Sequence, residues 1–179
     1  MAKIAVIGFG SLVWDPRELK LADGEWHKDG PKLPVEFARV SQDGRLTLVI
    51  APELKPQPTR WAYSGCRTLG EAKADLAKRE GPTPEKNIGA LKKGEKGSDA
   101  TEQAIASWCE KKGLDGVVWT KLSPKAPDGS ERIITPEEAV AYVKSLEDRL
   151  KNAKRYIEMA PEEIDTPTRR ALMKMFEDM

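Results

Sequence analysis

The stretch "KIAVIGFGSLVWDP", residues 3–16, decides how this chain is read: an apolar run that suits a buried strand breaks into Gly8-Phe9-Gly10-Ser11. Many phosphate-binding loops begin with a strand that ends in a glycine-rich turn. A dinucleotide loop needs G-x-G-x-x-G, so that a helix starts at once and its N-terminus meets the pyrophosphate. Here Val13 takes the third glycine's place, and Trp14-Asp15-Pro16 is a poor helix interior. The G-K-[ST] of nucleotide hydrolases is absent, and Gly10 and Ser11 are adjacent, which rules out the G-x-S-x-G nucleophile elbow. What survives is a strand end whose backbone can aim successive N–H groups at one spot. Such a nest suits a carboxylate as well as a phosphate. The plainer alternative is a tight turn after an edge strand.

Composition narrows the classes of function. A chain of 179 residues is read as one domain, residues 1–179, long enough to bury a core without staples. Its net charge of +1, with both signs interspersed, gives no pull toward nucleic acid or an anionic membrane. No stretch reaches transmembrane length, and no signal peptide is evident. Cys66 and Cys109 have no metal-like spacing and read as reduced thiols of a cytoplasmic protein. His27 is the only histidine, which argues against a histidine metal site and suits a solvent-facing loop residue. Cys109, beside Trp108, reads as packing. Neither a metal nor a cofactor is implied.

Local signals set out the elements. "VEFARVSQDGRLTLVI" (35–50) gives two strand-like runs joined by Asp43-Gly44, and "TRWAYSGC" (59–66) suits another strand. Thr68 and Glu71 form a capping box that opens a helix, which Gly81-Pro82 must end. A loop rich in Gly and Lys follows. Asp99 and Glu102 cap a second helix with Ile105 and Trp108 on its apolar stripe, and "DGVVWTKL" (115–122) is a strand. Thr135-Pro136 begins a long helix whose apolar spacing runs through Val143 and Leu150 to Ile157, before Pro161 stops it. Thr166-Pro167 begins a last helix, where Arg169 and Arg170 serve either a fold contact or a partner. The softest boundary is 123–132. It separates a strand-rich body, 1–122, from a helical C-terminal extension, 133–179.

"GFGSLVWDP" resembles the G-Y-G-S-L-[IV]-W-x-P opening of ChaC-type γ-glutamylcyclotransferases, with Phe9 in place of the usual Tyr. "FARVSQDGR" resembles a second segment of that family. "LAKREG" is similar to the helix end that presents its catalytic glutamate, which falls on Glu80. The tail "APEEIDTPTRR" is similar to an uncharacterised bacterial branch of the superfamily. The resemblance covers about residues 4–81, with a weaker echo in "GLDGVVWT". It implies an α+β fold: a mixed β-barrel with flanking helices and a helical C-terminal arm. It also implies cofactor-free lyase chemistry on a small γ-glutamyl compound, as in glutathione metabolism, giving 5-oxoproline and a free amine. Glu80 would be catalytic, and Phe9, Gly10, Ser11, Leu12, Arg39 and Ser41 would bind substrate. The rivals are a non-catalytic ligand-binding or regulatory protein on the same fold, and a different reaction in the same pocket.

The chemistry fits that short inventory. Attack of an α-amino group on its own γ-carbonyl is intramolecular, so holding the chain folded supplies much of the acceleration. One carboxyl group can take the ammonium proton and return it to the leaving amine. Glu80 sits at a helix end, whose negative pole works against a carboxylate's charge while Arg79 works for it. The bland alternative is a solvated helix-end glutamate. With Asp43-Gly44 as a two-residue turn, Gln42 pairs with Arg45, Ser41 with Leu46, Arg39 with Leu48, and Phe37 with Ile50. That register puts Arg39 and Ser41 on an apolar face. There Arg39 either meets an anionic substrate or lays its stem along the core and reaches water.

Overall fold

The computed structural model describes residues 2–81 and 84–179. The chain is α+β and divides into two compact units, Met1–Leu33 with Pro58–Leu122, and Pro34–Gln57 with Ser123–Met179.

The first unit is built on strand β1 (Ile4–Gly8), the apolar run of the opening stretch. It pairs in parallel with β6 (Gly116–Thr120) and antiparallel with β4 (Arg60–Tyr63). On the far side of β6 lies β5 (Ile88–Lys92), giving the order β4-β1-β6-β5. Helix α1 (Leu69–Arg79) packs on β6, β5 and β1, and α2 (Ala100–Lys111) packs on β6. Leu69, Ala72 and Leu76 recur at helical spacing. They meet Ile4, Val6 and Val118, alternate residues that share one face of the sheet. The strand residues between them, Ala5, Ile7, Val117 and Trp119, are equally buried, so both faces of the central pair are covered.

The caps read from sequence are in place. Thr68 accepts the Glu71 N–H, while the Glu71 carboxylate reaches back to the N–H of Arg67, one residue before the cap. Asp99 accepts the Glu102 N–H at 2.8 Å. Helix α1 ends at Arg79, with Glu80 as its C-cap and Gly81 at φ +89°. Only glycine takes that left-handed conformation at little cost. Pro82, expected to end this helix, lies outside the described residues.

Strand β5 corrects the Gly/Lys loop expected there. It is held by pairing with β6, with Gly89 directly across from Trp119. A Cβ at Gly89 would overlap the buried Trp119 indole, which lies flat over the glycine. Gly89→Ala should lower stability by about 1–3 kcal/mol through overpacking. Thermal unfolding followed by circular dichroism checks this.

The second unit combines the hairpin β2 (Val35–Val40) and β3 (Leu46–Ile50) with three helices. These are α3 (Pro136–Lys144), α4 (Leu150–Met159) and α5 (Pro167–Glu177). Helix α4 packs on β3, α5 on β2, and α3 on α5. The Tyr156 ring stands edge-on to Phe37, and its hydroxyl accepts the Leu48 N–H at 3.1 Å. Lys125 makes an isolated parallel bridge to Arg39 of β2, donating to the Ala38 carbonyl and accepting from the Val40 N–H. Among the described residues neither sheet closes into a barrel.

Two expectations change here. The single long helix is two helices, broken by a turn in which Ser145 Oγ donates to the Tyr142 carbonyl at 2.6 Å and Glu147 takes φ +52°. The hairpin turn is one residue longer than Asp43-Gly44. Ser41 N–H donates to Arg45 O, Gly44 N–H to Ser41 O, and Gly44 sits at φ +87°. That is a type I turn closed by a left-handed glycine. A bulge between Phe37 and Arg39 shifts the register again, so Phe37 faces Leu48 and Arg39 faces Thr47. Arg39 therefore leaves the Phe37–Leu48 face on which the two-residue turn placed it.

Candidate functional site

Because β1 and β6 run parallel, their C-terminal ends open on the same edge of the sheet, which is where ligands of α/β sheets commonly bind. Three pieces meet at that edge: the turn after β1, the last residue of β6, and the end of α1. Glu80, at the helix end, accepts a hydrogen bond on Oε1 from Thr120 Oγ1 at 3.3 Å. The same oxygen lies 3.4 Å from Arg79 Nη1, and the two side chains are 17% and 4% exposed respectively. Arg79 then reaches across to the turn, its Nη2 donating to Ser11 Oγ at 3.3 Å and to the Asp15 carbonyl at 2.5 Å. One buried guanidinium thus ties the proposed acid–base residue to the glycine turn.

The turn folds on itself through Val13 N–H to Gly10 O and Asp15 N–H to Ser11 O. Among the described residues, the N–H groups of Gly10, Ser11 and Leu12 donate to no acceptor. Phe9, Gly10 and Leu12 are buried and Ser11 is half-buried. Arg17 covers the other side of the helix end, donating to the Arg79 carbonyl at 3.3 Å. An open groove runs along α1 as far as Arg79 and Gly81, the neighbours of Glu80, between charges of both signs such as Lys78 and Asp75.

The structure therefore brings together Glu80 and the Phe9–Leu12 segment. Arg39 and Ser41 belong to the second unit and have partners there. Arg39 donates to the Ser123 carbonyl at 2.8 Å. Ser41 Oγ contacts Asp43 and donates to the Arg45 carbonyl, which is turn chemistry. Thr120 and Arg79 were not among the sequence candidates. The signal for Thr120 was its place at the end of "DGVVWT", but only the parallel pairing of β1 and β6 shows that this end lies beside Gly8.

The other candidates resolve into packing. His27 is half-buried and stacked on Trp61, with centroids 4.6 Å apart, rather than facing solvent. Trp61 and Trp108 stand edge to face, and both donate to Asp29. Asp29 is held below the usual carboxylate range by its bonds from Lys112 and Trp61. Both cysteines are buried thiols, and burial pushes Cys109 up. Among the described residues, no group of three or more His, Cys, Asp and Glu side chains could hold a metal ion. No helix of the described residues is long and apolar enough to cross a membrane.

Compared with known proteins, the chain matches no protein-family model, and no curated protein matches it.

Proposed function

We propose that the chain is a γ-glutamylcyclotransferase-like enzyme, cyclising a small γ-glutamyl compound to 5-oxoproline with release of an amine or amino acid. The observation that carries this reading is the Glu80–Arg79–Ser11 link, which sets one carboxylate and a turn of undirected N–H groups on one sheet edge. The turn would hold the substrate's α-carboxylate through the Gly10, Ser11 and Leu12 N–H groups. Glu80 would take one proton from the α-ammonium, freeing its nitrogen to attack the γ-carbonyl carbon. As the ring C–N bond forms, the ring nitrogen would give up a second proton. As the amide C–N bond breaks, Glu80 would hand the two protons on in turn, so that 5-oxoproline keeps one N–H and the amine departs as its ammonium. All atoms come from the substrate, so the scheme needs no co-reactant.

The pairing of Glu80 with Arg79 favours a second reading. A carboxylate paired with a buried guanidinium at 3.4 Å suits anchoring a cationic ligand, as in a non-catalytic binding protein. A panel of γ-glutamyl peptides and amines, assayed for 5-oxoproline, separates the two. Turnover supports the enzyme, whereas saturable binding without product supports the binder. In either case 5-oxoproline should shift the amide resonances of Gly10, Ser11 and Leu12 in a ¹⁵N-labelled sample. Shifts elsewhere, with this turn unmoved, would remove the anchor from the scheme.

A further inference from the structure

The second unit contains a cavity of about 380 Å³ walled by β2, residues 54–57, residues 133–136 and the start of α5. Its walls are largely apolar, with Val35, Leu54, Ile133, Ile134 and Pro167 among them. Glu36 breaks the pattern. It is 3% exposed, yet it belongs to the wall. Its carboxylate accepts the Phe37 N–H at 2.8 Å and reaches the Thr168 N–H at 3.4 Å, in the first turn of α5.

Those two N–H groups and the positive end of α5 offset part of the cost of burying a carboxylate. No lysine or arginine among the described residues forms an ion pair with Glu36. The cations on the cavity wall are otherwise placed: Arg170 is bonded to Asp165 at 2.8 Å, and Lys55 is exposed. A buried carboxylate is thus set in the wall of a largely apolar cavity large enough for a small molecule, with no ion pair to the wall cations Lys55 and Arg170. The complementary ligand has a hydrocarbon body and one cationic head with N–H donors.

We propose that this cavity binds a small primary ammonium compound, its body against Ile133, Ile134 and Val35 and its ammonium on the Glu36 carboxylate. The site is independent of the γ-glutamyl reading of the first unit, and either can fail without the other.

Three probes of matched body and different head test it: benzylamine, benzyl alcohol and benzoate, titrated calorimetrically at neutral pH. Benzylamine should bind at least tenfold more tightly than benzyl alcohol, and benzoate should give no saturable heat. In a ¹⁵N-labelled sample benzylamine should shift the Phe37 and Thr168 amide resonances. Glu36→Gln should weaken benzylamine at least tenfold and abolish the preference over the alcohol. Because Glu36 also caps α5, Ile133→Trp gives a second route. Ile133 is half-buried in the wall, and the indole should fill the chamber and cost at least tenfold in benzylamine affinity. Equal binding of amine and alcohol would overturn the proposal. So would benzylamine heats unchanged in folded Ile133→Trp, or resonance shifts that leave Phe37 and Thr168 unmoved.

Discussion

Glu80→Gln should lower 5-oxoproline formation by about 10²–10⁴, the usual contribution of a general acid–base group. The amide keeps the shape of the side chain and can still accept the Thr120 hydroxyl, but it can neither take nor return a proton. Binding of 5-oxoproline should change far less, because its anchor is the Gly10–Leu12 backbone. Folding should weaken by only about 1 kcal/mol, since Arg79 keeps Ser11 Oγ and the Asp15 carbonyl as acceptors. Glu71→Gln is the control. It lies in the first turn of the same helix, where its carboxylate accepts the Arg67 N–H, and it should leave turnover unchanged. A Glu80→Gln protein as fast as the parent moves the chemistry to another residue. If neither protein turns over any γ-glutamyl substrate while both bind one, the binding-protein reading replaces the enzyme.

What could be read from sequence was what local chemistry dictates. Ile4–Gly8 is a strand because five apolar or small residues end at a turn, and α1, α2, α3 and α5 begin where Thr68, Asp99, Thr135 and Thr166 cap them. Glu80 was placed at a helix end by Gly81-Pro82, and Gly81 does close α1 in the left-handed conformation. Missed features depend on partners distant in the chain. "IGALK" has little strand propensity of its own, and it is a strand because β6 offers it an edge and Trp119 covers Gly89. The break after α3 contains neither Gly nor Pro, and the apolar spacing runs unbroken through it. Only α4 packing on β3 and α3 on α5 shows that one straight helix would not serve both. The hairpin register failed for a subtler reason. Asp43-Gly44 is a genuine turn signal, but Gly44 occupies the closing left-handed position of a longer loop, and the bulge beyond Phe37 leaves no mark in the sequence. Thr120 and Arg79 became visible as site residues only once β1 and β6 were known to be parallel neighbours.

Arg169→Ala should destabilise the protein by about 3 kcal/mol, whereas Arg170→Ala next to it should stay within about 0.5 kcal/mol. Sequence left both arginines open between a fold contact and a partner, and their surroundings separate them. Arg169 Nη1 donates to the carbonyls of Pro161 and Ile164 at 2.6 and 2.8 Å, and Nη2 to those of Ile157 and Ala160 at 2.9 and 2.8 Å. A helix leaves its last carbonyls without partners, and here one side chain gathers those at the end of α4 and in the turn that follows. The positive charge also lies at the negative pole of α4. Burial pulls the Arg169 pKa below the ordinary arginine value, against the opposing pull of Asp165 and Glu163. Lysine cannot replace it, because one ammonium cannot span four carbonyls as a planar fork does, so Arg169→Lys should recover less than half of the loss. Arg170, by contrast, makes an exposed pair with Asp165, of the kind worth little in water. In a chain of this length 1 kcal/mol moves the midpoint by about 2–4 °C, so Arg169→Ala should melt about 6–12 °C lower. Amide hydrogen exchange should accelerate first in the last turn of α4. Equal melting of the Arg169→Ala and Arg170→Ala proteins would mean that the four carbonyls are met as well by water, and that Arg169 is not what closes α4 against α5.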